Sequence, residues 1–266
     1  MKNLLLSLFL ACSCAAYAGQ GCEPRGSQAD SIVKAITFAA KVIEKLDEVY
    51  PGNHQVVLIG RIGQDISKYG QKYSHGGYAY KEDGYWVIRH ELNTCGTDQS
   101  SVYQEGIGNF FLDDLFKYEA MLVSFKEPYN TRLLNTLKDN SLAVRMHGGK
   151  YNMLYYPFSA KYQNSNGWLL ETFVFASADV LGAEIENRES AQQLLKGLSY
   201  KPATLHIGMF TRLGARITKV NIAFDDQPFD ERMAGNIQTV TFDDVVSFYE
   251  EKEFMDKKLE MGGDGE

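Results

Sequence analysis

The sequence predicts an α+β fold with an antiparallel sheet and packed helices, and three observations carry that prediction. Apolar residues at Ile32, Ala35, Ile36, Ala39, Val42, Ile43, Leu46 and Val49 recur at helical spacing. The run "SHGGYAYKEDGYWVIRHEL" reads as two strands around Glu82-Asp83-Gly84, a hairpin signal. Beyond residue 125 helical and strand-like runs follow one another with no internal repeat, a mixture that reads as α+β.

The elements follow in order. Residues 28–50 form an amphipathic helix, with Asp30 and Ser31 where a cap belongs and Pro51-Gly52 ending it. "QVVLIGRIG" is a buried strand, and "QDISKYGQKY" a polar connection to the hairpin. From Cys95 to Gly108 the chain is polar and turn-rich, after which "FFLDDLFKYEAMLVSF" reads as a short helix running into a strand. A helix over 128–139 starts at Pro128, where proline is tolerated. Residues 140–163 are irregular and rich in Tyr, and helices follow over 165–180 and 188–198. "ATLHIGMF", "ARITKVNIAF" and "NIQTVTF" read as strands, and Asp243–Leu259 as a charged helix before a Gly-Gly-Asp-Gly-Glu tail.

The first residues, "MKNLLLSLFLACSCAAYAGQ", combine a lysine, a short apolar run and the small-residue site Ala16-Tyr17-Ala18. Together they read as a secretory signal peptide over 1–18. One domain over 19–260 and a disordered tail over 261–266 then complete the chain. Cleavage before Cys12, leaving a lipid anchor, is the weaker reading, because Leu10-Ala11-Cys12 fits a lipobox loosely. The leader is too short to span a bilayer, and no later segment is apolar for long enough. The location expected is the periplasm. The net charge of -7, or -8 without Lys2, speaks against a nucleic-acid partner, which needs a concentrated basic surface. Removing the leader takes Cys12 and Cys14 and leaves Cys22 and Cys95. In an oxidising compartment one bridge is the simplest pairing, and closing a loop of about seventy residues stabilises by roughly 4 kcal/mol in the chain-entropy model. Two free thiols or two metal ligands are the rival readings.

The candidate chemistry lies in two places. In "KYQNSNGWLLETF", Ser165 stands at a helix start, either as a cap or as a nucleophile whose oxyanion the helix N–H groups would hold. His75 and His90 lie on the two hairpin strands. If residues whose numbers sum to about 167 are opposite, His75 faces Leu92 with His90 diagonal to it on one face. Each imidazole alone has a plain alternative, a single backbone hydrogen bond. Gly76 and Gly77 leave room beside His75 for a backbone or a ligand, or mark a bulge. Trp86 and Trp168 read as core, and Tyr151, Tyr155, Tyr156 and Tyr162 either line a groove or cover the core. Asp225, Asp226, Asp230 and Glu231 in "FDDQPFDER" offer hard-metal ligands, but the EF-hand glycine and terminal Glu are missing and a capping turn explains them as well. No cofactor or metal is expected.

Six strings in order, "GQDISKYGQKYSHGGYAY", "YWVIRHELNTCG", "NFFLDDLFKYEAMLV", "YNMLYYPFSAKYQNSNGWLLE", "TRLGARITKVNIAFDD" and "IQTVTFDDVVSF", resemble the bacterial domain-of-unknown-function family 2145, a set of exported proteins, across the mature chain. Gln227 departs from the His expected in many relatives after the Asp-Asp pair, which weakens any acid-base or metal role at that turn. More distantly, strand, Ser-His-x-Gly, strand and a later helix opening on a nucleophile resemble the circularly permuted papain-like peptidases of NlpC type. That resemblance implies a papain-like core with His75 as general base, His90 orienting it, and Ser165 where the superfamily places Cys. It implies either a binding or envelope-assembly protein that kept the groove, with an envelope substrate or an exported protein as partner, or an amide or ester hydrolase or acyltransferase using Ser165, His75 and His90. The first is the reading taken from the sequence.

Overall fold

A computed structural model describes residues 28–113 and 115–262. The proposed leader, Cys12 and Cys22 lie outside them, as do residues 263–266 of the tail. The first helix, α1 (Ala29–Val49), is followed by β1 (Val56–Ile62), β2 (His75–Glu82), β3 (Tyr85–Asn93) and β4 (Ser100–Gly106). Then come α2 (Ile107–Phe111), β5 (Lys117–Phe125), α3 (Tyr129–Lys138), α4 (Asn140–Ala143), α5 (Ser165–Ala176) and α6 (Arg188–Gly197). The chain closes with β6 (Ala203–His206), α7 (Met209–Thr218), α8 (Phe229–Ala234), β7 (Asn236–Thr239), α9 (Phe242–Glu251) and β8 (Met255–Met261).

Six strands form one antiparallel sheet in the order β4-β3-β2-β1-β5-β8, and β6 and β7 form a separate ribbon. The mixed architecture expected from the sequence is therefore present. Both faces of the sheet are covered, so β1 is buried at every position and lacks the polar alternation of a half-exposed strand. Val57 and Ile59 meet α1 and α2 through Phe38, Val42, Leu46, Phe110 and Phe111. Val56 and Leu58 meet α3, α5, α6 and α9 through Leu133, Trp168, Phe173, Leu195 and Tyr249. Burying each such side chain contributes about 1.5–3 kcal/mol. Trp86 and Trp168 are core residues, as are Tyr155 and Tyr162.

The hairpin has the register read from its turn. Tyr78 pairs with Arg89 and Glu82 with Tyr85, and Asp83 and Gly84 both take positive φ, 50° and 84°, as a two-residue turn with matching twist requires. Gly76 sits opposite Gly60, and a Cβ on either would come within about 2.5 Å of the Phe242 ring. The space beside His75 thus holds an aromatic side chain from α9 rather than a ligand or a bulge.

Several expectations need correction. The stretch before Gly108 contains β4, an edge strand whose mostly exposed side chains hide its period. "ARITKVNIAF" is no strand, since α7 runs to Thr218 and the apolar Met209, Leu213 and Ile217 recur every four residues. The charged helix ends at Glu251. Glu253 then adopts φ 58°, and Met255, Leu259 and Met261 alternate with charges along β8. Met261, assigned to the tail, is the last residue of that strand. At the N-terminus Gln28, not Asp30 or Ser31, occupies the cap position of α1.

Candidate active site

Pairing between β2 and β3 stops at Tyr78↔Arg89. Above that point His75, Gly76 and Gly77 pair only with β1, and His90 through Asn93 only with β4, so the sheet opens into a fork. The helix α5 packs against both strands and brings its first residue to the fork.

Local sequence explains how that residue is held. Asn164, not Ser165, caps the helix: its Oδ1 accepts from Gly167 N at 2.8 Å. The Asn164 Nδ2 donates to the carbonyls of Met153 and Val240, each at 3.0 Å. Ser165 is the first helical residue, and its hydroxyl is spared from capping. Nearly two turns on, Glu171 is fully buried and paired with Arg188, Nε to Oε2 at 2.6 Å and Nη2 to Oε1 at 3.1 Å. Gln163 and Gln192 also donate to that carboxylate, and Arg188 donates to the carbonyls of Ala160 and Tyr162. The loop before Ser165 is therefore anchored to the helix that follows it.

The three residues singled out in the sequence meet. His75 Nδ1 lies 3.1 Å from Ser165 Oγ, and His75 Nε2 lies 2.8 Å from His90 Nδ1. The row continues to a residue that sequence reasoning missed: His90 Nε2 lies 2.9 Å from Glu105 Oε1. A carboxylate only accepts, so His90 carries its proton on Nε2 and accepts at Nδ1. That fixes His75 with its proton on Nε2 and a lone pair on Nδ1, facing the Ser165 hydroxyl. All donors in the row point one way.

Burial holds His75 well below the ordinary histidine value, with the charge of Arg61 and the His90 ring adding to the effect. Burial also lowers His90, against the Glu105 carboxylate, which pulls it up. Arg61 pairs across the strands with His75, reaches Phe110 O and Asp113 with its guanidinium, and lies 4.6 Å over the Phe110 ring. Phe110 is fully buried, with ring centroids 5.8 Å from His75 and 5.3 Å from His90. It walls the imidazoles from water. A lone charge in the buried run "QVVLIGRIG" was the available signal for Arg61.

On the other side, the N–H groups of Ser165 and Asn166 are first-turn donors without intrahelical acceptors. The Asn166 side chain is buried, and its Oδ1 has no hydrogen-bond partner. The Tyr151 hydroxyl is hydrogen-bonded to Ser165, and burial raises its pKa. Tyr155 and Tyr162 do not line a groove.

The acidic turn has structural duties instead. Asp226 Oδ2 accepts from Tyr156 N at 2.7 Å, Asp225 pairs with Lys161 and Tyr162, and Glu231 accepts from Asn236. Gln227 bonds Leu154 O and both backbone groups of Gln238. Among the described residues no group of three His, Cys, Asp or Glu side chains is arranged to hold a metal, and no helix is long and apolar enough to cross a membrane.

A family model described as "Uncharacterized protein conserved in bacteria (DUF2145)" matches residues 49–249, from the end of α1 into α9. No curated protein matches the chain. No solved structure matches it either.

Proposed function

The chain belongs to the DUF2145 family of bacterial proteins, and for this member we propose acyl transfer at Ser165, as an amide or ester hydrolase or acyltransferase on a permuted papain-like core. The observation that carries the reading is the one-way row Ser165, His75, His90, Glu105. A binding or envelope-assembly groove would need no fixed tautomers, whereas a general base does. The row therefore favours catalysis over the binding role.

In the reaction, Ser165 Oγ attacks a carbonyl carbon while its proton passes to His75 Nδ1. The new imidazolium donates from Nε2 to His90, and His90 donates to the Glu105 carboxylate, whose charge stabilises both. The N–H groups of Ser165 and Asn166 and the positive end of α5 hold the oxyanion. As the tetrahedral intermediate collapses, the leaving amine or alcohol takes the proton from His75 and an acyl-Ser165 remains. Water or a second acceptor, deprotonated by the same Nδ1, releases the acyl group and restores the serine. A depressed His75 pKa favours return of the proton to the leaving group. Asn166 Oδ1 offers an acceptor for a substrate N–H. Ser165 is only 5% exposed, so the groups packed over it must move before a carbonyl reaches it.

The leader makes the cell envelope the compartment in which a substrate is sought, a peptide amide or a lipid ester, and the periplasm the proposed location. The test is covalent labelling with a fluorophosphonate, followed by mass spectrometry of the modified peptide, with a second arm in which the thiol of the Ser165→Cys variant is alkylated across pH. Adduct on Ser165 that is lost in His75→Ala, and a Ser165→Cys thiol whose labelling slows in the same background, are expected. An unlabelled Ser165, together with a Ser165→Cys thiol of ordinary pKa near 8.5 that is indifferent to His75→Ala, removes the proposal.

A further inference from the structure

The helix α7 is amphipathic the wrong way round for a helix of a water-soluble body. None of its residues is buried, and Met209, Phe210, Leu213 and Ile217 are 57–82% exposed. At 100° per residue these four fall within one arc of about 100° on the helix surface. Arg212, Ala215 and Lys219, the half-buried positions, lie on the side turned to the protein. An ordinary surface helix buries its apolar arc. This one presents it to solvent, and Val220 just beyond extends it.

Charge identifies what covers the face. From Ala203 to Phe224 there is no Asp or Glu, while Arg216 borders the apolar arc and Arg212, which donates to Ile207 O, and Lys219 lie further round on the half-buried side. That local excess of positive charge stands out in a chain of net charge -7. At the start of the helix a surface cleft lined by Lys68, Tyr69, His206, Gly208 and Thr211 adds a further cation. An apolar stripe with Phe and Met, bordered by Arg and Lys, is the composition of a helix that lies in the interface of an anionic bilayer.

We propose that α7 docks this protein on a membrane surface rich in anionic phospholipid, with Phe210, Leu213 and Ile217 entering the acyl boundary and Arg216, with Lys68 at the start of the helix, meeting the headgroup phosphates. The proposal does not depend on the chemistry of Ser165. The chain leaving α7 does tie the docking helix to segments on both sides of that site. Asn221 Nδ2 donates to Asn93 Oδ1 at 3.0 Å, at the end of β3. Asn221 O accepts from Met153 N at 3.0 Å, in the loop that Asn164 also grips.

The experiment is sedimentation with vesicles, using the chain from Gly19 onward, which keeps every described residue and omits the apolar leader that would itself bind lipid. Vesicles of phosphatidylglycerol mixed with phosphatidylcholine are compared with phosphatidylcholine alone, at low and high salt. Binding to the anionic vesicles that weakens with salt is expected, with affinity falling roughly tenfold or more in Phe210→Glu and in Arg216→Glu. Both positions are exposed, so circular dichroism should be unchanged. Absence of binding, equal binding to both vesicle types, or variants that bind like the wild type would overturn the proposal. So would a dimer, seen by light scattering without vesicle binding and abolished by Phe210→Glu, since the face would then belong to a second copy of the chain.

Discussion

His75 Nε2 and His90 Nδ1 lie 2.8 Å apart, in the one part of the hairpin where their strands no longer pair. The fork that separates the backbones lets the two rings meet edge to face, with centroids 5.2 Å apart, and leaves the outer nitrogen of each for another partner. The imidazole pair is thus a link between a hydroxyl and a carboxylate.

Removing the charge at the end of that link should slow acylation of Ser165 by roughly 10- to 100-fold, since Glu105→Gln still accepts a hydrogen bond but no longer stabilises an imidazolium. Because the Glu105 carboxylate raises the His90 pKa, its loss should also move the acid limb of the pH–rate profile downward. Glu105→Asp should restore part of the rate. Fluorophosphonate labelling rates across pH measure all three, and an unchanged rate or an acid limb moved upward counts against the relay.

Stability separates Asn164 from Ser165. Asn164→Ala loses the cap to Gly167 and two bonds to buried carbonyls, so chemical denaturation should register a loss of about 2–3 kcal/mol. Ser165→Ala, which removes no cap, should cost under about 1 kcal/mol. The reverse ranking would return Ser165 to the role of a structural cap.

Glu91, fully buried on β3 and 4.0 Å from His147 Nε2, is pushed up to about 7 by burial. Its unfolded value is near 4.5, so between these values the folded chain keeps a proton that the unfolded chain has released. Stability therefore falls as pH rises through that window, and the full cost, about 3 kcal/mol at most, is present above pH 7. Glu91→Gln should stabilise the protein at pH 8 and make no difference below about pH 4.5. The depressed His75 and His90 act oppositely: below about pH 6.5 the unfolded chain takes up protons that the folded one refuses, and stability falls with acidification. Denaturation midpoints of the variant and wild type that keep a constant offset across this range would show that Glu91 does not titrate there.

Export with one Cys22–Cys95 bridge, proposed from the leader and the two remaining cysteines, predicts no titratable thiol in the exported, denatured and unreduced chain, and two after reduction. Two thiols before reduction defeat the pairing.

The hairpin and its histidines were legible because the turn fixes the register, and side-chain parity then assigns the face. Ser165 was legible through its position before an apolar run, though not its exemption from capping, because Asn164 and Ser165 are equally good caps in sequence. Glu105 was hidden by its strand. On an edge where most side chains meet water, Ser-Ser-Val-Tyr-Gln-Glu carries no apolar alternation, and only the pairing of Ile88 with Glu105 reveals that the carboxylate shares a face with His90. The strand β8 was missed for the opposite reason: its charges continue those of α9, and the break is a single left-handed residue at Glu253. The run "ARITKVNIAF" reads as a strand, while the spacing by fours of Met209, Leu213 and Ile217, the better guide, belongs to the helix α7.

The dent formed by Gly60 and Gly76 is filled by Phe242, and the far side of β5 is closed by β8. Both closing pieces come from the last tenth or so of the chain, while the strands they complete come from its first half. A chain emerging N-terminus first holds β1, β2 and β3 with an unfilled hollow until its end arrives, and contacts of such long sequence separation form slowly. The topology therefore delays completion of the core. Export, as proposed from the leader, would gain from that delay, because an extended form would persist during passage and the late arrival of one phenyl ring would lock the sheet afterwards.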